Sequence, residues 1–224
     1  MSGRPDDAVA ARRFDAVVFD FGGVLITPIT TKVTALAVRH GTTTEVMYEV
    51  LMGPRYESTS DHPWHRSERG EVAVADMQAL LGPWAEAAGV TLHGDEMTFM
   101  FDQTYLVNRQ VEERVRALQA DGYTTALLTN SVVEYRPTLE REIDLSIFDE
   151  VIDSSEVGAR KPEPEIYRLT TARVGGDPSR VVFLDDFVQN VVAARAEGWT
   201  ALLVVDVDTA LAELDRVLAG HDPA

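Results

Sequence analysis

Phe14-Asp15-Ala16-Val17-Val18-Phe19-Asp20-Phe21-Gly22-Gly23 reads as a buried strand that closes on an acid and turns at once on two glycines. Ala16 to Phe19 is apolar at every position, so neither face of such a strand can look into water. A strand covered on both faces belongs to a parallel sheet flanked by helices. Runs of the same kind recur at Thr124 to Thr129, Val181 to Asp185 and Ala201 to Val205. Helical spacing fills the intervals. Val111, Val115 and Leu118 fall at i, i+4 and i+7 before Gly122, and Ile166, Leu169 and Thr170 stripe a helix that opens on prolines and glutamates. Val188, Val191 and Val192 mark a third helix, which ends near Gly198. Leu211, Leu214 and Leu218 mark a last one, with Asp208 placed to cap it.

Strands alternating with helices predict an α/β layered fold around a parallel sheet. In such sheets ligands bind beyond the carboxyl ends of the strands. Asp20, Thr129 and Asp185 each stand at such an end. The stretch from about Thr30 to Tyr105 departs from the rhythm, with no convincing strand and helical patterns at Thr31 to His40, Thr44 to Met52 and Val72 to Ala88. Gly82-Pro83 is expected to bend or split the last of these. This stretch predicts a helical cap domain inserted after the first strand, with linkers near Pro28 and Asn108.

The 224 residues suffice for a core domain with an insertion, and 45% hydrophobic and 25% charged residues are the balance of an ordinary globular protein. The absence of cysteine excludes disulfides, thiol catalysis and cysteine-bound zinc. A formal net charge of −17 argues against nucleic acid as a partner. The apolar runs are strand-length, too short for a membrane span. With a polar, acidic N-terminus and no signal-like run, the expected location is cytoplasmic. Oligomeric state is not legible in the chain.

Four clusters carry chemistry: Asp20-Phe21-Gly22-Gly23, Leu128-Thr129-Asn130-Ser131, Arg160-Lys161-Pro162-Glu163-Pro164, and Phe183-Leu184-Asp185-Asp186 with Asn190 nearby. Singly, the first three read at least as well as a turn, a cap or a solvated loop, and the Asp185-Asp186 pair is less easily dismissed. Adjacent carboxylates closing an apolar strand repel each other and call for a cation or a donor. Together the clusters suit phosphoryl transfer through a covalent aspartyl-phosphate, with Asp20 as nucleophile. An aspartate approaching a phosphate dianion needs its charge cancelled. Mg²⁺ takes carboxylate and carbonyl oxygens, here from Asp20, Asp186 and the Gly22 carbonyl. Lys161 supplies fixed positive charge and Thr129 a hydroxyl donor, while the amides around Gly22 and Gly23 can help hold the phosphate. Asp185 and Asn190 are expected to orient Lys161 and the metal ligands.

These motifs, in the stretches FDFGGVLITP, LLTNS, EVGARKPEPEIY, VVFLDDFVQN and DVDTALAEL, resemble the haloacid-dehalogenase-like hydrolase superfamily. Within it they resemble most the branch of the N-terminal phosphatase domain of soluble epoxide hydrolase. The resemblance implies a Rossmann-like, doubly wound parallel sheet as core, spanning residues 10–28 and 106–224, with a helical cap at 29–105. It implies a Mg²⁺-dependent phosphatase acting on a phosphorylated small molecule. The family's nucleophile falls on Asp20, its phosphate-binding pair on Thr129 and Asn130, its lysine on Lys161 and its metal-binding acid on Asp186.

One position departs from the pattern. Phosphatases of this family usually carry a second aspartate two residues after the nucleophile, where it protonates the leaving group and then activates water. Here that place is Gly22. A positioned acid–base is worth roughly 10²–10⁴-fold in rate. Three readings follow: a slow or specialised phosphatase, a metal-independent 2-haloacid dehalogenase, or a non-catalytic module that binds a phosphorylated metabolite. The Asp185-Asp186 pair favours a metal over the dehalogenase. Glu57, Asp61, His62 and His65 of the cap are candidate replacement acids. Tyr56, Trp64, Trp84, Phe99 and Phe101 are candidates for an apolar acceptor pocket, with cap packing as the ordinary alternative.

Overall fold

The computed structural model describes residues 12–54, 61–102 and 105–223. The opening run forms β1 (Ala16–Phe19), buried at all four positions as its composition requires. With it pair β2 (Thr124–Thr129), β3 (Glu150–Asp153), β4 (Val181–Asp185) and β5 (Thr200–Leu203). All neighbours run parallel, in the order β3-β2-β1-β4-β5. The chain therefore winds from β1 out to β3, then returns to β4 on the opposite side of β1. That reversal is a topological switch point, and it opens a crevice beyond the carboxyl ends of β1 and β4.

The helices are α1 (Thr30–Arg39), α2 (Thr44–Met52), α3 (Pro63–Glu68), α4 (Val74–Ala87) and α5 (Glu96–Met100). After them come α6 (Arg109–Ala120), α7 (Arg136–Glu142), α8 (Ser154–Val157), α9 (Pro164–Val174), α10 (Val188–Ala196) and α11 (Val207–Leu218). The two-residue period of β1 sends Val17 and Phe19 to one side of the sheet and Ala16 and Val18 to the other. On the first side Val111, Val115 and Leu118 of α6 and Ala210, Leu214 and Val217 of α11 cover them. On the second, Ile166, Tyr167 and Val174 of α9 pack with Val191 and Ala194 of α10. Each fully buried Val, Leu, Ile or Phe side chain among them contributes about 1.5–3 kcal/mol.

Helices α1 to α5 bury a separate core of their own, with Val33, Leu36, Met47, Leu51, Met77, Leu81 and Met100 at its centre. This is the helical cap. Its two connections to the sheet lie side by side. The Thr27 amide donates to the Leu106 carbonyl at 3.1 Å, and the Asn108 amide to that of Leu25 at 2.8 Å. Among the described residues, no helix is long and apolar enough to cross a membrane.

Four details differ from the sequence expectation. β3 was not expected, because its four residues begin and end on acids and only two are apolar. α4 is not split at Pro83, the helix continuing through it. Pro83 and Ala79, whose carbonyl loses its partner, both lie on the exposed face, so water can take the place of the missing bond, while Met77, Leu81 and Ala85 hold the inner face. The cap of α11 is Asp206, which accepts from the Thr209 amide at 3.2 Å, rather than Asp208. In α10 only Val191 of the valine stripe is buried, with Val188 and Val192 46% and 59% exposed.

Candidate active site

The Asp20 amide donates to the Leu184 carbonyl at 2.9 Å, extending the β1–β4 ladder one residue beyond β1. The Asp20 side chain is thereby fixed in the crevice at the switch point. Asp185 is the last residue of β4, and Asp186 follows it. Lys161 reaches between them from the loop ahead of α9. Its Nζ donates to Asp20 Oδ1 at 2.6 Å and to Asp185 Oδ2 at 2.7 Å, with the side chain 1% exposed. Asp185 is held in turn by the Phe187 amide at 2.7 Å and by Asn190 Nδ2 at 3.0 Å to each of its oxygens. The helix start of α10 thus orients the acid that orients the lysine.

Lys161 is also anchored through its backbone. Asn130 Nδ2 donates to the Lys161 carbonyl at 2.8 Å, and the Lys161 amide donates to Asn130 Oδ1 at 2.7 Å. Asn130 thus clamps the lysine loop with both ends of its side-chain amide while still lining the pocket. Thr129 is buried at the pocket wall, its hydroxyl only 3.4 Å from the neighbouring carbonyl of Asn130.

Three carboxylates, Asp20, Asp185 and Asp186, each offer an oxygen within 4.8 Å of the others. With Lys161 the ionised cluster carries a net charge of −2 (three acids against one lysine). Burial pushes the Asp20 carboxyl well above the usual carboxylate range; Lys161 pulls it down and Asp185 pushes it up. Asp186 is raised by burial first, then by Asp20 and Asp185. Burial works against the Lys161 charge, but Asp185 and Asp20 outweigh it and raise its pKa. The Asp186 Oδ1 atom is buried with no hydrogen-bond partner. A divalent cation would neutralise this cluster and give the orphaned oxygen its partner. Three hard carboxylate donors and no imidazole fit Mg²⁺.

The two glycines after Asp20 have different reasons for being glycine. Gly23 has φ 75°, and a Cβ there would lie 2.2 Å from Asp186 Oδ2, so the backbone and the acid can approach only without a side chain. The Gly23 amide donates to the Ile26 carbonyl at 2.8 Å, which closes the turn and withdraws that amide from the phosphate role expected of it. Gly22 lies in the pocket wall, and a Cβ there would meet nothing within 4 Å.

A single pocket contains Asp20, Gly22, Thr129, Asn130, Lys161 and Asn190 and extends under the cap. Its remaining wall is largely apolar: Ile29 ahead of α1, Tyr48 and Met52 of α2, Trp64 of α3, with the rings of Phe101 and Tyr135 tilted against each other, centroids 6.2 Å apart. Trp64 and Phe101 therefore line the pocket as expected. Trp84 packs edge-on against His62, and Phe99 lies against the cap core. Tyr56 and Glu57 lie outside the described residues.

The two candidate histidine donors are neither surface groups nor pocket groups. His62 caps α3, accepting from the Trp64 amide at 3.1 Å, and His65 is 3% exposed. Burial holds the imidazole of His62 down to about 4 and that of His65 down to about 3. Asp61 is exposed and does not line the pocket. The sequence reading assigned no role to Glu68 and Arg160. Arg160 Nε donates to Glu68 Oε2 at 2.5 Å, joining core to cap, and Glu68 accepts from Trp64 Nε1 at 2.8 Å. Arg160 Nη1 is left buried and unpartnered in the same pocket. The only signal for Arg160 was its place beside Lys161.

A family model described as haloacid dehalogenase-like hydrolase matches residues 14–198, the stretch that holds every residue of this site. The chain belongs to the haloacid dehalogenase-like hydrolases. Among curated proteins, it is 30% identical over 221 residues to bifunctional epoxide hydrolase 2 of Rattus norvegicus, covering 92% of this chain and 39% of the relative. The chain thus spans about two fifths of that relative's length. It is 26% identical over 211 residues to the sesquiterpene phosphatase astK of Aspergillus oryzae, covering 92% of this chain and 97% of the relative. A solved HAD family enzyme from Bacteroides thetaiotaomicron, in complex with magnesium and inorganic phosphate, aligns with a TM-score of 0.60 at 18% identity, over 85% of this chain and 93% of that one. Dehalogenases share the fold at similar identity, so the structural likeness speaks to fold alone.

Proposed function

We propose that this hydrolase is a Mg²⁺-dependent phosphatase that cleaves phosphoric monoesters of small molecules through an aspartyl-phosphate on Asp20. The observation that carries the reading is the buried cluster in which Lys161 bridges Asp20 and Asp185 while Asp186 keeps an unpaired oxygen beside them. Asp20, Asp186 and the Gly22 carbonyl would hold the ion. When bound, it supplies the positive charge that lets a carboxylate approach a phosphate dianion.

An Asp20 oxygen attacks phosphorus, the phosphorus–oxygen bond to the leaving group breaks, and the departing oxygen takes up a proton. Water then hydrolyses the acyl phosphate, releasing inorganic phosphate and restoring the Asp20 carboxylate. Lys161 fixes one Asp20 oxygen and faces the charge that develops on the phosphoryl group. Thr129 offers its hydroxyl to the phosphoryl oxygens. Asn130, Asp185 and Asn190 position Lys161. Gly22 supplies no side-chain acid, so protonation of the leaving group falls to solvent or to the substrate itself, and turnover is slow for poor leaving groups.

The apolar wall from the cap selects a substrate whose esterified group is itself apolar, in keeping with the sesquiterpene phosphatase among the relatives. In this reading residues 29–105 act as the cap over a core of 10–28 and 106–224. The net charge of −17 disfavours nucleic acid as substrate.

The test is phosphate release from an aryl phosphate, with and without Mg²⁺, in wild type and Asp20→Asn. The expected result is Mg²⁺-dependent turnover that falls to background in the variant. Binding of phosphate with Mg²⁺ but no turnover over a broad panel would favour the non-catalytic module, a reading that rests on Gly22. Halide release from a 2-haloacid without metal would favour the dehalogenase.

A further inference from the structure

His40, His93 and Glu96 bring their ligand atoms within 4.8 Å of one another in the cap, outside the pocket just described. His40 ends α1, His93 lies on the turn that follows α4, and Glu96 opens α5. The ring Nδ1 of His40 lies 2.8 Å from the Thr91 carbonyl, which only an N–H can satisfy. The Nε2 atom is left as the ligating nitrogen. It is buried, has no hydrogen-bond partner and stands 3.2 Å from Glu96 Oε1, with the two side chains 1% and 0% exposed.

In that tautomer a nitrogen lone pair faces a carboxylate oxygen in a dry setting, an arrangement that repels. A second proton on the ring would give an ion pair, but the contact is close without being aligned as an N–H to oxygen bond. A cation seated off that line satisfies both atoms. The Glu96 carboxylate is pre-oriented for it. Its Oε1 accepts from the His93 amide at 2.5 Å and its Oε2 from the Gly94 amide at 3.0 Å, leaving lone pairs on each. The exposed His93 ring stacks on that of His40 with centroids 4.2 Å apart. Arg39, the nearest cation in sequence, is paired with Asp95.

We propose that His40, His93 and Glu96 form a zinc site that ties the end of α1 to the turn entering α5. Two imidazoles and one carboxylate suit Zn²⁺ rather than Mg²⁺, with water completing the coordination. The Thr91 carbonyl plays the outer-shell part usual for a metal-bound histidine. The site is independent of the Asp20 cluster and staples the cap.

The probe is Co²⁺ titrated into metal-stripped full-length protein in excess Mg²⁺, followed by visible absorption, with Zn²⁺ as competitor and Tm measured alongside. One saturable equivalent with the strong absorption of a low-coordinate, nitrogen-containing site is expected, together with displacement by Zn²⁺ and a higher Tm. His93→Ala changes an exposed residue, so its metal-free Tm should match wild type. Since loss of a mere outer-shell partner costs 10–100-fold, its affinity should fall by at least about tenfold. His40→Ala should lose binding as well, and Asp186→Asn should retain it. Absence of a saturable signal would overturn the site in favour of a protonated His40 paired with Glu96. Equal Co²⁺ binding, or an equal Zn²⁺-induced Tm shift, in His93→Ala would overturn it too.

Discussion

On the proposed phosphatase reading, replacing Gly22 with aspartate should speed turnover, and the geometry decides whether an acid can be placed there. Gly22 is absent from the glycines with positive φ, and a Cβ there meets nothing within 4 Å. A side chain can therefore branch from the backbone there without strain or clash at its Cβ. A positioned acid–base is worth roughly 10²–10⁴-fold, or about 2.7–5.4 kcal/mol of barrier. The gain should be largest for alkyl phosphates, whose leaving group must be protonated, and small for aryl phosphates. The cost is electrostatic: the cluster at −2 becomes −3. By Coulomb's law, a like charge at a separation of about 8 Å repels by roughly 2 kcal/mol at an effective dielectric of about 20. Gly22→Asp should therefore melt lower than wild type without Mg²⁺ and recover most of the difference with it. The assay is kcat on an alkyl and an aryl phosphate, beside Tm with and without Mg²⁺. A folded, Mg²⁺-stabilised Gly22→Asp protein with no gain on the alkyl substrate would refute the reasoning, because the missing acid would then not be what limits turnover.

Lys161→Met leaves Asp20 and Asp185 buried without their shared donor. It should destabilise the fold by about 3–5 kcal/mol in urea unfolding and abolish phosphate release. Gly23→Ala forces a side chain into left-handed backbone, at roughly 1–2 kcal/mol, and against Asp186. Calorimetry should show Mg²⁺ affinity falling by about tenfold or more. Acidification should loosen the cap through His62 and His65, which fold neutral with pKa values of about 4 and 3 against 6.5 unfolded. Between pH 6.5 and 4 the unfolded chain binds more protons than the folded one. Stability is thus full above pH 6.5 and is lost as pH falls through that window. In saturating Mg²⁺, which removes proton uptake by the acidic cluster, Tm should fall across this range in wild type and fall less in His65→Gln.

The sequence alone determined the parallel sheet, because Ala16 to Phe19 and Val181 to Leu184 are apolar at every position and can be buried only between two helical layers. It also placed Asp20, Thr129 and Asp185 at strand ends, and the cap by its change of rhythm. Local pattern could not find β3, whose Glu150–Asp153 run becomes a strand only through pairing with Ala126 to Thr129. Nor could it tell that Asn130 spends its side chain on Lys161, 31 residues away, since that depends on where the lysine loop lands. The histidines of the cap look alike in the chain. Tertiary packing buries His62 and His65 away from the pocket and turns His40 toward Glu96. Most of all, the sequence shows only that Gly22 lacks a carboxylate. The open space beside it, against the clash with Asp186 that a side chain at Gly23 would meet, depends on where β4 delivers Asp186, and only the folded chain decides that.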